Sequence, residues 1–168
     1  MAINSKKADN GQSYEVVKSR YEELRAKHKR LPAFEILDVE FEISRVEYER
    51  FLLRNVRSMI SEKLSFIAHA LNELLHPSEA GYIALRESAS FSDNEKAQIL
   101  ELFNKIMHYD RWALELAIQD SDELNVIFIE DVMKKWPAIK ASLLHHVKKM
   151  KESWTKNIVS KDTTEYFG

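Results

Sequence analysis

The sequence predicts an all-α protein, an antiparallel bundle of about five helices around one long central helix spanning about 45–76. Three observations carry this prediction. Glycine and proline are scarce, with three of each in 168 residues, and sandwiches, barrels and phosphate-loop folds need more glycine at their turns. Apolar residues recur at steps of three and four through most of the chain. Helix-start patterns and prolines fall between those periodic runs.

The N-terminal residues 1–12 are polar and are expected to be a flexible tail, followed by a single bundle domain over 13–158 and a polar C-terminal tail over 159–168. A first helix is predicted from about Ser13 to Arg30, its inner face made by Tyr14, Val17, Tyr21 and Leu24. His28 falls at the edge of that face, where a boundary residue is a simpler reading than a ligand. After Pro32 the pattern changes. Leu37, Val39, Phe41 and Ile43 alternate with polar residues, the period of a half-buried strand. No second strand-like run exists to pair with it, so an extended connector or an added helical turn is expected, with pairing to a second copy as a third option.

The central helix has the strongest signals. Ser44 and Glu47 have capping-box spacing, Ile43 and Tyr48 are placed for a hydrophobic staple, and Pro77 supplies a stop. No Gly or Pro interrupts the stretch from Arg45 to His76, roughly 48 Å of helix at 1.5 Å per residue. Leu53, Val56, Ile60, Leu64, Ile67, Leu71 and Leu74 form a buried face that Phe51, Leu52, Met59 and Phe66 widen. A short helix around Tyr82–Glu87, opened by Ser78, comes next. A second capping box at Ser92 and Glu95 opens a long helix with Ile99, Leu100, Phe103, Ile106, Met107, Leu114 and Ala117 inside. Asp120 and Glu123 open another, bearing Leu124, Ile127, Phe128, Val132 and Met133 and ending near Trp136. Pro137 is then placed in the first turn of a last helix, with Ile139, Leu143, Val147, Met150 and Trp154 inward.

The composition excludes more functions than it identifies. A 45% hydrophobic and 31% charged chain is neither disordered nor exceptional, and a net charge of −2 advertises no polyanionic partner. There is no cysteine, hence no disulfide, thiolate metal site or thiol nucleophile. No apolar run is long enough to span a membrane or serve as a secretory signal, so the expected setting is the cytoplasm, without a membrane partner. Phosphate-binding glycine loops and the G-x-S-x-G elbow are absent, and no Ser/His/Asp order or paired carboxylate suggests acid–base catalysis. No cofactor is implied.

Glu73 and His76 have the E-x-x-H spacing of helical metal sites, and Glu62 and His69 lie on a similar face. A second E-x-x-H is missing, so a polar, solvated flank is the simpler reading. His145 and His146, adjacent on a helix, project about 100° apart and cannot together chelate one ion; both are expected on a solvated face. Asp110, set among apolar neighbours, is the acid most drawn inward, toward an interhelical salt bridge.

Charge is distributed unevenly. Asp110, Glu115, Asp120, Asp122, Glu123, Glu130 and Asp131 face only Arg111 in their segment, and the lysines from Lys134 to Lys161 face only Glu152. Arg50, Arg54 and Arg57 make a second basic group, expected on one side of the central helix. Acidic and basic segments that neutralise one another within the bundle explain much of this. The remainder predicts a non-enzymatic protein-interaction or scaffolding module, its partner an unidentified protein or a second copy in a homodimer. Arg50, Arg54, Arg57, Lys148, Lys149 and Lys151 are the candidate contact residues. Binding of nucleic acid through the same basic residues is the second reading, and a metal site at Glu62, His69, Glu73 and His76 the third.

Overall fold

A computed structural model describes residues 4–46, 50–119 and 121–155, with side chains described from Tyr14 onward. Among the described residues there are seven α-helices and no strand: α1 (Asn4–Lys27), α2 (Phe34–Phe41), α3 (Leu52–Leu75), α4 (Pro77–Ala80), α5 (Tyr82–Ser88), α6 (Asp93–Gln119) and α7 (Asp122–Ser153), with a 3-10 turn at Ile43–Arg45. The all-α bundle is therefore the architecture, and α3 is its centre. Its buried stripe, Leu53, Val56, Ile60, Leu64, Ile67, Leu71 and Leu74, is the one predicted, and it packs against α2, α5, α6 and α7.

Side-chain contacts establish how the long helices run. Tyr109 of α6 bonds Asp131 of α7, and Glu95 bonds Lys149, so these two helices are antiparallel. Ser65 of α3 donates to Asp110 of α6. Arg57 and Lys63 of α3 meet Asn125 and Trp136 of α7 respectively, so α3 and α7 run parallel, with α6 antiparallel to α7.

The central helix begins later than its capping box implied. Ser44 lies in the 3-10 turn, where its N–H donates to Asp38 Oδ1 at 2.7 Å. Glu47 and Tyr48 lie outside the described residues. Phe51, in the left-handed region at φ 64°, precedes the first turn of α3 and stands 54% exposed instead of widening the core. Phe66 is likewise outside, at 75% exposure. The predicted end is correct: His76 follows the last helical residue and Pro77 occupies the first position of α4.

Further expectations are narrowed or corrected. Of the readings open after Pro32, the added helical turn is the one that stands, extended into the eight-residue helix α2, and the connector and the strand are excluded. Phe34, Leu37 and Phe41 are buried, whereas Val39 is 79% exposed, so the i, i+3, i+7 set outweighs the period-2 one. Eight residues cannot hold a helix alone. Burying Phe34 and Leu37, at about 1.5–3 kcal/mol each, offsets that deficit, and Tyr14 and Tyr21 of α1 contact the Phe34 ring edge-on.

Pro137 does not separate two helices. It lies inside α7, which continues through it, although Pro137 has no N–H to offer the carbonyl four residues back. The cap of α7 is Ser121, whose Oγ accepts the Leu124 N–H at 3.4 Å; Asp120 lies outside the described residues. Gly81, not Ser78, precedes α5.

The α6 capping box forms as predicted, with Ser92 N–H donating to Glu95 Oε2 at 2.8 Å and Glu95 N–H to Ser92 Oγ at 3.4 Å. The inner face of α6 is rotated from the predicted one. Leu102, Tyr109, Ala113 and Leu116 are buried with Ile99 and Ile106, while Leu100 and Leu114 are about half exposed. The helix of α1 reaches back to Asn4, beyond the Ser13 start that the apolar spacing marked. Val17, Tyr21 and Leu24 are buried as expected. Residues 159–168 lie outside the described residues.

Candidate functional site: the exposed row of α7

The C-terminal half of α7 departs from its predicted packing in a way that leaves apolar surface uncovered. The expected inner stripe was Ile139, Leu143, Val147, Met150 and Trp154. Ile139, His146 and Ser153 are buried, Leu143 and Met150 are partly buried, but Val147 and Trp154 are 45% and 42% exposed. Leu144 is 58% exposed. At 3.6 residues per turn the positions 140, 144, 147, 151 and 154 follow one another along one side of the helix. Lys140, Leu144, Val147, Lys151 and Trp154 therefore form a row of apolar side chains interleaved with lysines.

The two ends of this row are held. At Lys140 the row lies under α2: Glu40 accepts from Lys140 Nζ at 2.6 Å and from Trp136 Nε1 at 2.8 Å, and Phe41 meets the Trp136 ring at 4.9 Å. These contacts hold the Glu40 carboxyl below the usual carboxylate range against the opposing effect of its burial. At the far end Trp154 Nε1 donates to Glu87 Oε1 at 2.7 Å, and the Arg86 guanidinium stacks 4.5 Å from the ring. Leu144 and Val147, between these clamps, are exposed. Trp154 is thus an oriented aromatic at the rim of an apolar patch, the setting of an interface anchor. Beyond it Tyr82 and Ile83 of α5 are 70% and 63% exposed.

The candidate basic residues do not act as two clusters. Lys149 is committed internally: its ammonium bonds both oxygens of Glu95 and, with the Ser92 donors, holds that carboxyl down to about 2. Lys148 and Lys151 are exposed; Lys151 belongs to the row and Lys148 lies beside it. Arg50 precedes α3 in a turn and, with Arg54, lies over the exposed Phe51 ring at 5.0 and 4.9 Å. Arg57 is 4% exposed, and its Nη1 donates to buried Asn125 Oδ1 at 3.2 Å. The three arginines consequently share no single surface.

The polar residues of α3 are also dispersed. Glu62 and His76 are exposed, and His69 Nε2 lies 3.4 Å from Glu73 Oε1 on the helix surface. Among the described residues no three His, Asp or Glu side chains converge on a metal position. Asp110 accepts a hydrogen bond from Ser65 and lies 3.7 Å from Arg111, so its interhelical partner is a hydroxyl rather than a cation.

His146 is the reverse of its expected place. His145 is exposed, but His146 is 1% exposed, with the Phe91 ring edge-on at 6.0 Å and no hydrogen-bond partner on either ring nitrogen. Burial, then the neighbouring His145, lowers its pKa. The solvated face expected for both is correct for His145 and wrong for His146: the 100° step that separates them lets the rotation of α7 turn one inward while the other stays in solvent.

No family model, curated protein or solved structure matches this chain. Among the described residues no helix is long and apolar enough to cross a membrane. The geometry of the α7 row is thus the basis for the functional reading.

Proposed function

We propose that this protein is a cytoplasmic, non-enzymatic interaction module, and that the C-terminal row of α7 is its contact surface for another protein or for a second copy. The observation that carries this reading is the exposure of Leu144 and Val147 between two clamped ends, with Lys148 and Lys151 beside them. Apolar side chains at the middle of a patch supply contact energy when desolvated, and charges at its edge select the partner. Lys134, Lys140 and Lys149 are ion-paired with Glu130, Glu40 and Glu95, and Lys135 lies on the opposite side of α7 from Lys148 and Lys151, so the remaining lysines make no continuous phosphate track.

The test is size-exclusion chromatography with light scattering, recording absorbance at 260 and 280 nm, on wild type and on L144D/V147D. Each is run as pure protein and in fresh extract of the cells that make it. Wild type is expected to elute in an assembly larger than the monomer, and the variant as a monomer with unchanged circular dichroism. A wild type that stays monomeric in both settings contradicts the proposal. Excess 260 nm absorbance that disappears in K148E/K151E transfers the surface to nucleic acid.

A further inference from the structure

On the side of α7 away from that row, a groove of about 720 Å³ lies between α6 and α7, within the size range of small-molecule sites. It has an evident cause. The two helices are clamped at one end by Tyr109 with Asp131 and Trp112 with Phe128, and at the other by Glu95 with Lys149 and Phe91 with His146. Between the clamps α7 presents the short side chains Ala138 and Ser142, which leave the space unfilled. Buried Leu102, Tyr109 and Ile139 contribute to its lining.

The groove is elongated and graded. On α6 its lining runs from Gln98 to Tyr109, roughly 16 Å of helix at 1.5 Å per residue. The antiparallel register set by Tyr109–Asp131 and Glu95–Lys149 brings Lys135 level with Lys105 and His108. It brings Ser142 toward Gln98 at the opposite end. Glu101 also lines the groove, where Lys105 neutralises it at 2.7 Å. Lys135 makes no ion pair among the described residues, so the groove carries one cation in excess, at the end away from Gln98 and Ser142.

We infer that this groove binds a single-chain amphiphile whose apolar chain lies along Leu102 and Ile139 and whose anionic head, a carboxylate or a phosphate, is held at Lys135. An apolar chain removes the groove lining from water, and the head supplies the charge that Lys135 lacks. The site is independent of the α7 row, so either assignment can fail without the other.

The experiment is isothermal titration calorimetry of the full chain with dodecanoate and dodecyl phosphate below their micelle concentrations, with dodecanol and dodecyltrimethylammonium as neutral and cationic controls. At least one anion is expected to bind saturably at one per chain, ten-fold or more tighter than both controls. K135E is expected to weaken it at least ten-fold, and A138W to abolish it by occupying the groove. Preference for one anion over the other identifies the head. Lys135 is exposed, so K135E tests the proposal even if A138W fails to fold. Absence of saturable binding by either anion, equal binding of the cationic amphiphile, or an unchanged Kd in K135E each overturns it.

Discussion

His146 and Arg57 show what single residues impose on this bundle. The imidazole of His146 is buried with two unpartnered nitrogens, facing Phe91 from the turn before α6, Glu95 from α6, and His145 and Lys149 from α7 itself. Glu95 favours the cation, but burial and the two basic neighbours outweigh it. Above the ordinary value of 6.5 both the folded and unfolded chains hold the ring neutral. Below it the unfolded chain takes up a proton that the fold excludes, so stability falls as pH drops from about 6.5 toward the lower folded value. Urea midpoints measured between pH 7.5 and 5 are expected to decline in wild type and to decline less steeply in H146F. Parallel slopes would contradict this assignment. Arg57 makes a different demand. Its guanidinium is buried against Asn125, and N125A removes one acceptor from that buried group, a cost of about 1–3 kcal/mol in equilibrium unfolding. In the sequence Arg57 is one of three arginines at steps of four and three, and local spacing cannot tell an arginine that meets a distant Asn from one that meets solvent.

At the scale of elements, local signals were readable where the chemistry is local. The Ser92–Glu95 box, the stop at Pro77 and the buried stripe of α3 all follow from neighbours within a few residues. The start of α3, the state of α2 and the fate of Pro137 did not, because tertiary contacts decide them. In α2 the same residues satisfy two periods, and burial of Phe34 against Tyr14 and Tyr21 selects the helical one. L37A is accordingly expected to cost about 2–5 kcal/mol, whereas V39K, at a solvent-facing position of α2, should change stability by no more than about 0.5 kcal/mol. A strand with Leu37 and Val39 on one face would lose stability in both. Pro137 normally ends a helix, yet α7 carries buried residues on both sides of it, Val132 and Trp136 before and Ile139 and His146 after. Restoring the missing donor in P137A is expected to raise stability by about 1–3 kcal/mol, read from the urea midpoint. A loss would mean that proline's shape is required where it stands.

Across the whole molecule, the acidic and basic segments that the sequence separates prove to be mainly two ends of one helix. Asp122 and Glu123 open α7 and Lys151 lies in its last turn, an arrangement that complements the helix dipole. Part of the charge asymmetry is thereby explained without a partner. What remains is the row on the C-terminal half, and only one of its features was legible beforehand. The basic cluster Lys148, Lys149 and Lys151 was identifiable, though not that Lys149 would pair with Glu95; Val147 and Trp154 fit the inner stripe by spacing and were placed inside. Helical spacing tells which residues share a face and leaves open where the neighbouring helices stop. Here α2 covers the turn at Trp136 and Lys140 and ends there.

The most direct test of the α7 surface is a photo-crosslinking amino acid placed at position 144, compared with the same group at position 39, which is more open to solvent but lies off the row. Irradiation of living cells is expected to give a discrete adduct, with a second copy or another protein, from position 144 and none from position 39. No adduct at position 144, or the same adducts from both positions, would contradict the assignment of this row as the contact surface.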